Sequence, residues 1–274
     1  MQVTTKQLNQ PNYQLSYTVY GKGTPVVLLH GYGEDSQIWH NQIEALAAHC
    51  LLIVPDLPGS GKSTITPKGL NEWLPNMSIE SLAESINELF IAENLTSSIL
   101  LGHSMGGYIG LAFAELYPSK LLALGLVHSS SYADNNEKKI IRQKSIQLIE
   151  ENGGYTFFKT STPNLFGKKF KETQAPIIEH LIDQSKDFES SVLVGYTRAM
   201  MNRPDRSAIL ASANFPILFI AGPEDIAAPL ASVEAQATLP NKSYLNILDG
   251  VGHMGMLESP NEMNIHLINF IELV

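Results

Sequence analysis

Cysteine is nearly absent: the 274 residues contain one, Cys50, so no internal disulfide can form. A lone cysteine suits a reducing compartment and excludes a small disulfide-stapled scaffold. Charge is sparse at 16% of residues, and its basic side is scarcer still. Eighteen Lys and Arg stand against 27 Asp and Glu, for a net charge of −9. Nucleic acid is therefore not expected as a partner. No run of about 18 apolar residues occurs, so no membrane span is expected. The polar opening MQVTTKQLNQPNYQ lacks the apolar core of a signal peptide. The expectation is a cytoplasmic chain. The histidines show no metal-ligand spacing, and neither repeats nor low-complexity tracts occur. What is abundant is apolar surface, 44% of residues, enough for a sizeable core.

That apolar content is rhythmic. Gln14–Tyr20 alternates like a strand, and PVVLLH at 25–30 and CLLIVP at 50–55 read as strands covered on both faces. Ile38–His49 has helical spacing. Ser78 is a candidate N-cap for a helix with Ile79, Leu82, Ala83, Ile86, Leu89 and Phe90 on one stripe. Strand, helix and strand follow at Ser98–Leu101, Met105–Tyr117 and Leu121–His128. The alternation predicts an α/β fold, a mostly parallel central sheet flanked by helices. Between 131 and 205 the rhythm becomes helical only, and eleven of the basic residues meet ten of the acidic ones there. The prediction is a near-neutral helical cap inserted into an acidic core: residues 1–130 and 206–274 form the core and 131–205 the insert. Strand and helix alternate again over Pro216–Ala221, Leu230–Thr238, Ser243–Leu248 and Asn261–Leu273.

The chemistry concentrates at Gly102-His103-Ser104-Met105-Gly106, a G-x-S-x-G between a strand and a helix. Such a turn forces its serine into a strained conformation with the hydroxyl exposed, while the glycines let strand and helix pass closely. Ser104 is thus a candidate nucleophile, but a serine hydroxyl attacks only when a base takes its proton. His253 follows the strand Ser243–Leu248, and Asp225 follows the strand Pro216–Ala221. In a parallel sheet these loops share the edge from which Ser104 emerges. The chain order Ser, Asp, His fits a triad in which Asp225 orients His253. Glu224 competes with Asp225 as the acid, and Asp134 is a third choice. Acyl transfer also needs donors for an oxyanion, and the backbone N–H groups of Tyr32, in His30-Gly31-Tyr32-Gly33, and of Met105 are the candidates. Trp39, His103, His128 and Met254 are candidates for the substrate pocket.

With these residues the chain resembles α/β-hydrolases of the serine-nucleophile, esterase-like branch with a helical lid. The resemblance rests on HGYG at 30–33, DLPGSGKS at 56–63, GHSMGG at 102–107, GPEDIAAP at 222–229 and GVGHMGMLESP at 250–260. It implies hydrolysis of a small, largely apolar ester through an acyl-enzyme, with no metal and no cofactor. Serine at 104 separates the chain from branches that place aspartate there. Carbon–carbon bond hydrolysis, amide or aminopeptide hydrolysis (with Glu179 or Glu189 holding an amine) and perhydrolase chemistry use the same triad and stay open. So does a non-catalytic ligand-binding role, and so does the oligomeric state. Gly59-Ser60-Gly61-Lys62-Ser63 is not a phosphate loop, because Asp56 stands where that motif needs glycine. The run Glu137-Lys138-Lys139 reads as a solvated helix face.

Overall fold

The computed structural model describes residues 2–274. Nine strands form one sheet: β1 (Val3–Asn9), β2 (Tyr13–Gly21), β3 (Pro25–Leu29), β4 (Leu51–Pro55), β5 (Thr64–Ile65), β6 (Ser98–His103), β7 (Leu121–Val127), β8 (Ile217–Ala221) and β9 (Ser243–Ile247). Their order is β1-β2-β4-β3-β6-β7-β8-β9, with β5 beside β2. From β4 to β9 all pairings are parallel, whereas β1, β2 and β5 join antiparallel.

The inner parallel strands β3, β4, β7 and β8 are almost wholly apolar because both faces are covered, whereas the edge strand β9 is partly exposed. Alternation along β3 shows the double coverage. Val27 and Leu29 pack into one core with the helices Ile79–Ala92 and Met105–Leu116. Val26 and Leu28 pack into the other with the helices His40–Ala47 and Pro260–Leu273. Ser78 caps its helix as expected, in a reciprocal capping box with Ser81.

Two expectations shift. The helix read as Ile38–His49 begins only at His40, after a 3-10 turn over Ser36–Trp39. β1 has no counterpart in the sequence reading, because it is a polar edge strand exposed over most of its length. Between β7 and β8 the chain is helical: Asn136–Ser161, Lys168–Thr173, Ala175–Gln184, Ser190–Asn202 and Ser207–Ser212. The first of these is kinked at Gly153. Among the described residues, no helix is long and apolar enough to cross a membrane.

The sheet order positions the site. The chain leaves β3 for β4 on one side and returns to β6 on the other, so the loops after β3 and β6 diverge. A crevice opens at such a reversal, at the carboxyl ends of the strands. His30–Gly33 and Ser104 lie there.

Candidate active site

Ser104 sits between β6 and the helix Met105–Leu116 with φ 50° and ψ −113°. That conformation is costly for a residue with a Cβ, and the surroundings enforce it. Ser104 N donates to Val127 O at 2.9 Å, and Ser104 O accepts from Ser129 Oγ at 2.7 Å. The turn also needs its glycines. A Cβ on Gly102 would lie 2.3 Å from the backbone of Gly106, and one on Gly106 would lie 2.5 Å from Leu29 O. Strand, turn and helix therefore interlock, and the serine is exposed to a cavity while its neighbours are buried.

His253 and Asp225 are brought together. His253 Nδ1 donates to Asp225 Oδ2 at 2.8 Å, which leaves Nε2 as the basic nitrogen. Asp225 Oδ1 accepts from Ala227 N at 2.8 Å and Ala228 N at 2.9 Å, fixing the carboxylate. Burial pushes the Asp225 carboxyl up, but His253 and His128 together outweigh it and hold the group well below the usual range. For His253, burial works downward and the Asp225 charge upward; the charge wins, and the ring is raised above its ordinary value. Glu224, the competing acid, points elsewhere: its Oε2 accepts from Lys168 N at 2.6 Å. Asp134 is engaged by Arg142 and Arg203.

Ser104 and His253 line one cavity of about 290 Å³, together with Tyr32, Glu34, Lys138 and Arg142 among others. Met105 opens its helix, so its N–H has no intrahelical partner, and Tyr32 stands on the cavity wall.

The four residues read as pocket-lining lie elsewhere. Trp39 and Met254 are fully buried in the core against the helix Pro260–Leu273; their apolar bulk is packing, not wall. His103 is a buried brace. Its Nδ1 is 3.0 Å from Glu34 Oε2 and its Nε2 is 3.0 Å from His253 O. His128 is buried behind the carboxylate, with Nδ1 3.2 Å from Asp225 Oδ2. Its backbone is also left-handed, at φ 48°. Burial pushes the His128 ring down to about 4, so it is neutral and donates through Nδ1. Among the described residues its Nε2 has no hydrogen-bond partner.

His128, Asp225 and His253 are also the one trio, among the described residues, whose ligand atoms approach within 4.8 Å of one another. Two rings donating to one carboxylate oxygen account for that clustering without an ion.

Two supporting acids escaped the sequence reading. Glu34 Oε2 accepts from Gly31 N at 2.7 Å as well as facing His103, tying the loop after β3 to the residue before Ser104. Burial pushes Glu34 up, yet His103 and the Gly31 N–H outweigh it and hold the carboxyl low. Glu258 accepts from Gly167 N at 2.8 Å, Gly252 N at 3.0 Å and Met254 N at 3.1 Å. The only available signal was an acid close to a glycine-rich loop. The DLPGSGKS turn is likewise structural: Asp56 accepts from Ser36 N at 2.8 Å and Lys62 N at 2.9 Å, filling the loop with a carboxylate.

The family description "alpha/beta hydrolase fold" matches residues 24–149, and the observed sheet order and elbow agree with it. The chain has the α/β-hydrolase fold. It is similar to a protein of Agrobacterium fabrum carrying the name "Putative carbamate hydrolase RutD", with 27% identity over 94% of this chain and 98% of that one. A pimeloyl-[acyl-carrier protein] methyl ester esterase of Yersinia pseudotuberculosis is 26% identical over 94% of this chain and 98% of its own. Among solved structures, an esterase of Thermogutta terrifontis with malate bound superposes with a TM-score of 0.88 at 25% identity, covering 100% of this chain and 99% of that one. The chain thus resembles hydrolases over nearly its whole length.

Proposed function

We propose that the protein is a serine hydrolase cleaving carboxylic esters through an acyl-enzyme. Ser104 Oγ attacks the carbonyl carbon while His253 Nε2 takes its proton. The N–H groups of Tyr32 and Met105 hold the oxyanion. The carbon–alkoxy bond then breaks, and His253 returns the proton to the departing alcohol. Water repeats the sequence, releasing the acid and free Ser104. Asp225 fixes the His253 tautomer and stabilises its cation. The segment 131–205 serves as a lid over the cavity, and the lone buried cysteine suits a cytoplasmic setting.

The observation that carries this reading is the 2.8 Å bond from His253 to Asp225, with His253 and Ser104 on the wall of one cavity. The names of the two relatives, a carbamate hydrolase and a methyl ester esterase, support acyl chemistry at a carbonyl flanked by oxygen. The test is fluorophosphonate labelling together with hydrolysis of 4-nitrophenyl acetate. Both should disappear in Ser104→Ala while the protein stays folded. Labelling that persists would remove Ser104 from the reaction.

A further inference from the structure

Lys138 and Arg142 stand four residues apart on the helix Asn136–Ser161, and both line the cavity that holds Ser104 and His253. The run Glu137-Lys138-Lys139 is therefore not a uniformly solvated face. Glu137 and Lys139 are exposed, but Lys138 is half-buried on the wall. Like charges at this helical spacing repel, so the pair is no helix-stabilising device. Nor does it follow from composition, since the chain as a whole is strongly acidic.

Lys138 has no carboxylate partner among the described residues, and Arg142 shares its one with a second guanidinium group. Lys138 Nζ donates to the neutral carbonyl of Ala227 at 3.1 Å. Arg142 reaches Asp134 through Nε, and neither of its terminal amino groups has a protein partner among the described residues. Asp134 is shared: its other oxygen accepts from Arg203 Nη1 at 2.8 Å. One buried carboxylate thus faces two guanidinium groups, with an ammonium group nearby on the same helix. The other carboxylates at the site are turned to partners of their own. Glu34 is engaged by Gly31 N and His103, and Asp225 by two histidines and two N–H groups. The rest of the wall is mostly apolar, with Tyr108, Ile141, Phe157 and Met200 among its residues.

We propose that the site takes esters whose acyl chain ends in a carboxylate, half esters of short dicarboxylic acids, with Lys138 and Arg142 receiving the distal anion. The apolar wall accepts the methylenes, and a cavity of about 290 Å³ limits the chain to a few of them. The proposal rests on the serine-esterase reading and adds the substrate class.

The test compares kcat/KM for mono-4-nitrophenyl glutarate and neutral 4-nitrophenyl hexanoate, after subtracting spontaneous hydrolysis. The anionic ester is expected to be preferred by about tenfold at low salt, with the preference shrinking in about 0.5 M NaCl as screening sets in. Lys138→Gln should lower the ratio several-fold, and so should Arg142→Gln. Lys144→Gln, exposed on the same helix and off the wall, should leave it unchanged. A neutral ester that is cleaved as well as the anionic one, or a ratio that ignores Lys138→Gln and salt, overturns the substrate class and leaves the esterase reading standing. Failure to cleave either ester, with no fluorophosphonate labelling, overturns both.

Discussion

Nδ1 of His128 lies 3.2 Å from Oδ2 of Asp225, the oxygen that also accepts from His253. A second donor on that oxygen spreads its negative charge and weakens its hold on the His253 proton. Replacing His128 by Ala should therefore make Asp225 a stronger partner and raise His253 further. On the proposed mechanism the acid limb of kcat/KM reports protonation of His253, and because that ring is raised the limb should lie above about 6.5 in the native protein. In His128→Ala it should move higher by about half a pH unit or more, for a single donor worth about 1 kcal/mol. A pH–rate profile checks this; a limb that stays put would assign His128 to packing alone.

The same two rings set how stability responds to pH. His128 is pushed down to about 4 in the folded protein, so between about 6.5 and 4 only the unfolded chain takes its proton. Stability should fall as pH drops through that window, by about 1.4 kcal/mol per unit where His128 dominates. His253 acts oppositely. Its raised value adds stability that is complete below about 6.5 and is lost as pH rises through its folded value. Urea unfolding across pH should place the maximum near 6.5, and His128→Gln should flatten the acid side.

Ser104 carries a positive φ that glycine adopts without strain. Ser104→Gly and Ser104→Ala should be equally inactive, yet the glycine variant should be the more stable by about 1 kcal/mol, or roughly 2–4 °C in Tm. Thermal unfolding of the two variants measures how much strain the elbow holds.

Glu34 joins the loop after β3 to His103 and, through His103, to the backbone of His253. Glu34→Ala leaves buried donors without an acceptor and should cost about 3–5 kcal/mol of stability. Glu34→Gln, which keeps an acceptor, should fold better and lose turnover chiefly by loosening the Tyr32 N–H. Denaturation curves and kcat for both variants separate the two effects.

The glycine-marked turns at the carboxyl edge of the sheet were legible in the sequence because close backbone approach leaves no alternative residue, as at Gly106 against Leu29 O. The buried strands were legible because double coverage demands unbroken apolar runs. β1 was hidden, since an exposed antiparallel edge strand such as VTTKQLN needs no apolar face. The choice between Glu224 and Asp225 was also hidden. Both sit in one turn, and only the direction of each carboxylate separates them. The cavity wall was least legible of all. Trp39 and Met254 have the chemistry of a pocket and the location of a core, while Lys138 and Arg142 look like surface until the helix is docked. Helical spacing says which residues share a face, not what that face meets.

Glu258 draws Gly167, Gly252 and Met254 onto one carboxylate, and His253 N adds a 2.6 Å bond to Leu165 O. The stretch around 165–167 is thereby sewn to the loop bearing the imidazole. Ligand traffic that swung this stretch outward would drag the base off its station.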